Sequence, residues 1–172
     1  LNQNMFQPYL WDGEGFYLDS WNEEFWDKFR YFLMKCKELG IVPFIRIHDY
    51  CSIKRAECNK FYCFMNNVQG FTNVYDKGLY PFYSRLNKRL LKELKSVGIK
   101  KFFIVPMNEC DSDSYEVYNF NQWYIQDLYL KNVSKDQIIL SADPYYFDEL
   151  KELGCRIEVH NVASFEDLQV LP

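Results

Sequence analysis

The sequence contains no long hydrophobic run. Its longest apolar stretches are short and strand-like, such as Ile41 to Ile47, and that one already holds Arg46. A bilayer-crossing helix needs about 20 apolar residues, so no membrane partner is expected. Basic excess is missing as well: 20 Lys+Arg stand against 24 Asp+Glu, a formal charge of −4 and a sequence pI of about 5.3. Little positive field is available to hold a phosphate backbone, and no nucleic-acid partner is expected. Histidine occurs only twice, at His48 and His160, too few to serve a metal-dependent barrel hydrolase. The six cysteines, in 172 residues, are too sparse for a disulfide scaffold; they permit disulfides and require none. From Leu1 onward there is neither a charged n-region nor an apolar h-region, so any secretion signal is expected to be removed or to lie outside this stretch.

The chain is 48% hydrophobic and 19% aromatic, enough apolar surface for a core. Three segments end alike, at Lys37-Glu38-Leu39-Gly40, Lys95-Ser96-Val97-Gly98 and Lys151-Glu152-Leu153-Gly154. Each is followed by a β-branched or aromatic run, which reads as helix, glycine stop, strand. Phe25, Phe29, Phe32, Cys36 and Leu39 recur at helical spacing before the first stop, and Ser20 with Glu23 has capping-box spacing. Before the second stop the stripe is Phe82, Leu86, Leu90, Leu94 and Val97; before the third it is Phe147, Leu150 and Leu153. Glycine suits each stop because a helix end needs a left-handed residue there.

The runs 42–48, 101–108, 137–142 and 156–161 are short, apolar and interior-looking, as parallel strands between helices are. A further helix is expected over 117–131, with Phe120, Trp123 or Tyr124, and Leu128 on one face. Gly98 and Gly154 bracket two βα units of about 28 residues each, close to the unit of a (β/α)8 barrel. The expected fold class is therefore α/β, either an open four-stranded sheet or, as favoured, a partial parallel barrel of TIM type. Leu1 to Ser20 reads as a loop after a missing strand, and Ser164 to Leu168 as the start of a further helix. The connection from Asp49 to Leu79 is long, aromatic and holds three cysteines; loops of that length in compact domains are usually functional, and this one emerges at the C-terminal rim of the strands.

The sharpest chemical signal is the run from Phe102 to Glu109, an apolar strand that ends in Asn108-Glu109. A carboxyl group screened from water at a strand end can have its pKa raised enough to act as an acid near neutrality. Trp11, Tyr50 and Tyr145 lie in rim segments and could stack on the apolar faces of sugar rings, although most aromatics in such a sequence serve packing. Arg46 alternates with Phe44 and His48, so it can point inward and pair with a carboxylate. His48, Cys51, Cys58 and Cys63 are separated by two, six and four residues, which fits no common zinc pattern; a disulfide within the loop and free thiols both stay open. Asn132-Val133-Ser134 matches a glycosylation acceptor, a motif short enough to arise by chance.

At the Asn108-Glu109 pair the chain resembles the retaining glycoside hydrolases of clan A, such as the family 5 cellulases and mannanases. In these an Asn-Glu pair ends the fourth barrel strand. Trp21 to Gly40 resembles the second helix, Ile41 to Asp49 the third strand, Ile138 to Asp143 the fifth and Ile157 to Asn161 the sixth. The resemblance implies that Glu109 is the general acid/base and that Asn108 hydrogen-bonds the sugar hydroxyl beside the reacting carbon. It also implies that His48 and His160 line the same cleft, that the substrate is an oligosaccharide or polysaccharide, and that no cofactor is used. The nucleophile belongs on a seventh strand, which would come from the rest of the parent chain with the other missing strands. A rival of another class is a catalytically inactive carbohydrate-binding barrel, which lacks the working carboxylate pair.

Retention requires two carboxyl groups about 5 to 5.5 Å apart, and Asp49, Asp143 and Glu158 are not at the family position. The 172-residue chain alone is expected to leave an activated aryl β-glycoside uncleaved; release of the aryl group above the buffer rate would contradict this.

Overall fold

The computed structural model describes residues 7–49, 62–108, 115–142 and 150–159. Its backbone divides into two compact units, one formed by 1–43 and 51–100 and the other by 44–50 and 101–172.

The first unit opens with an antiparallel hairpin, β1 (Tyr9–Trp11) and β2 (Phe16–Trp21), where a loop is expected from sequence. The turn explains the difference. Asp12 Oδ1 accepts the amides of Glu14 and Gly15 at 2.8 and 2.9 Å, its Oδ2 accepts the Tyr17 hydroxyl, and Gly13 takes φ +112°. Tyr9, Phe16 and Leu18 are buried on the inner side. The second half of the long 49–79 connection is ordered against this hairpin: Phe64 meets Tyr9 and Tyr83, and Phe16 bridges Asn67.

Helix α1 (Glu23–Glu38) starts at Asn22, whose side chain accepts the Phe25 amide, so the N-cap lies two residues beyond Ser20. Its buried face is Trp26, Leu33 and Cys36, whereas Phe32 and Leu39 are exposed. The Phe25-to-Leu39 stripe is thus offset from the true contact face. Helix α2 (Tyr80–Val97) buries Tyr83, Leu86, Asn87, Leu90, Glu93 and Leu94, close to expectation, and ends at Gly98 with φ +78°.

Ion pairs join the two helices around one buried carboxylate. Glu93 accepts Arg30 Nε at 2.8 Å and Arg89 Nε at 2.7 Å, and Arg89 also reaches Glu23 at 2.7 Å. The Arg89 guanidinium lies over the Trp26 ring, 4.9 Å from its centroid. Burial pushes the Glu93 carboxyl up, but hydrogen bonds and charge from Arg30 and Arg89 outweigh it and hold the group below its ordinary range.

The second unit carries four parallel strands: β3 (Phe44–Asp49), β4 (Phe103–Asn108), β5 (Ile139–Ala142) and β6 (Arg156–Val159). β3 pairs with β4, a parallel bridge from Ile104 to Ile138 joins β4 to the segment opening β5, and β5 pairs with β6. Their spatial order therefore follows their sequence order. Helix α3 (Tyr115–Leu130) packs on β4 and buries Val117, Phe120, Tyr124, Ile125 and Leu128. Asn132 ends it in the left-handed region at φ +65°, so this residue of the acceptor motif has a helix-stopping role. Gly154, at φ +68°, stops the segment that buries Leu150 and Leu153.

Arg46 Nη2 on β3 pairs with Glu158 Oε1 on β6 at 3.1 Å, with two strands between them.

Removing the shared carboxylate of the helix pair should destabilise the first unit. Glu93→Ala strands Arg30 and Arg89 and is expected to cost about 3 kcal/mol in urea unfolding. Because the folded-state pKa of Glu93 is depressed, its contribution is present above the unfolded value of 4.5 and fades as pH falls through the folded one. An unchanged unfolding midpoint would contradict this.

Candidate functional site

Parallel, in-register pairing brings the C-terminal ends of β3 and β4 side by side, with Asp49 opposite Asn108 and His48 opposite Met107. Asn108 is 7% exposed. Its Nδ2 donates to Asp49 Oδ1 at 3.1 Å. A carboxylate only accepts, so it selects which end of the amide faces it: the NH2 turns toward Asp49 and Oδ1 turns away. That oxygen is buried and meets no donor among the described residues. Leaving a buried acceptor unpaired costs about 1 to 3 kcal/mol, and such an atom at a strand end calls for a partner.

Glu109 occupies the next position in the chain and lies outside the described residues, as do Tyr50, His160, Asp143 and Tyr145. The described part of the site is therefore Asp49 and Asn108.

His48 sits near the end of β3, as expected, but not in an open cleft. It is 1% exposed, and Phe120 and Tyr124 of α3 meet its ring edge-on, each with centroids 5.6 Å away. Burial pushes the imidazole down to a pKa of about 3, so it is neutral near pH 7. The helical stripe of Phe120, Tyr124 and Leu128 is visible in the sequence; that it covers His48 is not.

Arg46 does pair with a carboxylate, Glu158 on β6, and this ion pair accounts for both side chains without substrate. With 42% and 32% of the side chains exposed, it is worth less than about 1 kcal/mol. Trp11 belongs to the hairpin, where its half-buried ring packs on Phe16 at 4.7 Å. Cys63 is a buried free thiol whose pKa burial raises. Cys51 and Cys58 fall outside the described residues, among which no group of three or more potential metal ligands occurs.

Asp49 is recognised from sequence only as a strand-end carboxylate away from the family position; its pairing with Asn108 is what that reasoning misses. The signal is present all the same: in a parallel pair, residues that end adjacent strands in register become neighbours. Compared with protein-family models, curated proteins and solved structures, the chain matches none.

The buried imidazole makes a pH prediction. Between its folded pKa of about 3 and its unfolded value of 6.5, the unfolded chain binds a proton that the native chain does not. Stability therefore rises with pH across that window and levels off above it. Urea unfolding from about pH 4 to 7 should show His48→Phe with a shallower slope than the wild type, by about 1 kcal/mol per pH unit. Parallel curves for the two proteins would contradict a neutral buried His48.

Proposed function

We propose that this chain is the central part of a (β/α)8 barrel glycosidase that hydrolyses β-glycosidic bonds with retention, Glu109 being its general acid/base. The observation that carries this is the Asn108 amide. It is buried at the end of a parallel strand, oriented by a carboxylate, left with an acceptor that has no donor among the described residues, and followed directly by Glu109. Sugar hydroxyls are donors of the kind this oxygen lacks. The consecutive order of the four parallel strands supports a barrel, in which strand C-termini form the active-site face.

In this mechanism the Glu109 carboxyl protonates the glycosidic oxygen as the bond to the anomeric carbon breaks. Its carboxylate then takes a proton from the water that releases the sugar. Asn108 Oδ1 accepts from the hydroxyl beside the reacting carbon, and the bond strengthens as positive charge develops there. The nucleophile is a carboxylate on a further strand. Asp49 and Glu158 are already engaged, the first in holding Asn108 and the second in holding Arg46. His48 is left out of substrate contact, since α3 covers it.

The proposal is tested by Glu109→Gln in the full-length protein. Cleavage of an unactivated β-linked oligosaccharide should fall by about 10²- to 10⁴-fold. Loss on an aryl glycoside whose leaving group needs no proton should be smaller. Wild-type rates on both substrates would remove Glu109 from the chemistry.

A further inference from the structure

We infer that Asp49 is a positioning residue, which holds the Asn108 amide with its carbonyl oxygen presented to the substrate hydroxyl beside the reacting carbon. This rests on the glycosidase assignment above and adds to it a residue that does no chemistry itself.

An asparagine amide has two ends of nearly equal size, and rotating it by half a turn exchanges a donor for an acceptor at the same place. Packing alone discriminates poorly between the two orientations. Asp49 discriminates by charge. With Nδ2 facing it at 3.1 Å, the contact is a hydrogen bond to an acceptor-only group. With the amide reversed, Oδ1 would stand against a carboxylate oxygen at a similar distance, two acceptors with no proton between them. The pairing is built into the backbone, because the two residues are register partners at the ends of adjacent strands. Asn108 is almost fully buried, so water does little to level the difference.

The consequence falls on ligand chemistry. A fixed, buried Oδ1 without a donor among the described residues accepts and cannot donate. It suits a hydroxyl and repels a carboxylate or phosphate placed at the same point. Asp49→Asn keeps the shape but offers either end of an amide to Asn108, so both orientations of Asn108 become available and the preference for a donating ligand weakens.

Two measurements test this on the full-length protein. The first compares kcat/KM on paired aryl β-glycosides that differ only in having or lacking the hydroxyl beside the anomeric carbon. Asp49→Asn should lower the rate on the hydroxylated substrate about tenfold, the factor that 1.4 kcal/mol represents, with little change on the deoxy substrate. Asn108→Ala should abolish the preference, and adding Asp49→Asn to it should change the ratio no further. Equal losses on both substrates would mean that Asp49 serves only the fold, and would overturn the inference.

The second measurement does not depend on turnover. With asparagine-selective 15N labelling, the Asn108 side-chain NH2, identified by its absence in Asn108→Ala, should exchange slowly with solvent and give one pair of resonances. Asp49→Asn should broaden or double that pair. A rapidly exchanging Asn108 NH2 in the wild type would overturn the pairing itself. If the wild type turns over neither glycoside, the glycosidase assignment fails, and the side-chain resonances still decide whether Asp49 orients the amide.

Discussion

Parallel pairing in consecutive order is the constraint from which the rest of the second unit follows. Strands that all run the same way deliver their C-terminal residues to one edge of the sheet, and register decides which of those residues touch. The β3–β4 register pairs Asp49 with Asn108. A slip of one residue would move every side chain of a strand to the opposite face. Asp49 would then lie beside Met107 or Glu109, and the amide would lose its partner. The Arg46–Glu158 ion pair depends on the same order, since it links the first of these strands to the last.

Three buried polar groups show how differently this chain treats such groups. Glu93 is saturated: two guanidiniums surround it and keep it ionised despite burial. His48 loses its charge instead, among aromatic rings. Asn108 is satisfied on one side only. The first arrangement fastens two helices, and the second fills a core. The third leaves an acceptor with a fixed direction and no donor among the described residues, which is a capacity for binding rather than for stability.

Glycine stops are legible from sequence because a positive φ leaves few other choices, and Gly40, Gly98 and Gly154 all adopt it. The four strands are legible for a related reason, as short apolar runs between helical stripes have few other uses. The contact face of α1 is not. Aromatic residues surround that helix, so the Phe25, Phe29 and Phe32 spacing competes with the Trp26, Leu33 and Cys36 face that packing selects. The hairpin at Tyr9–Trp21 carries its signal in Asp12-Gly13, a turn pair flanked by alternating residues, although the segment as a whole reads as a loop. Arg46 is recognisable as a residue seeking a carboxylate. Its partner lies 112 positions away, and only the tertiary arrangement of the strands selects it. In the site, Asn108 can be read from its place before Glu109, whereas the role of Asp49 appears only when register sets the two side by side.

The most direct test of the central claim is a crystal structure of the full-length protein with a β-linked oligosaccharide bound. The account predicts that a sugar hydroxyl donates to Asn108 Oδ1 while Nδ2 stays on Asp49, and that the Glu109 carboxyl faces the adjacent glycosidic oxygen. A sugar bound away from the ends of β3 and β4, or a Glu109 side chain turned outward into bulk water, would contradict it.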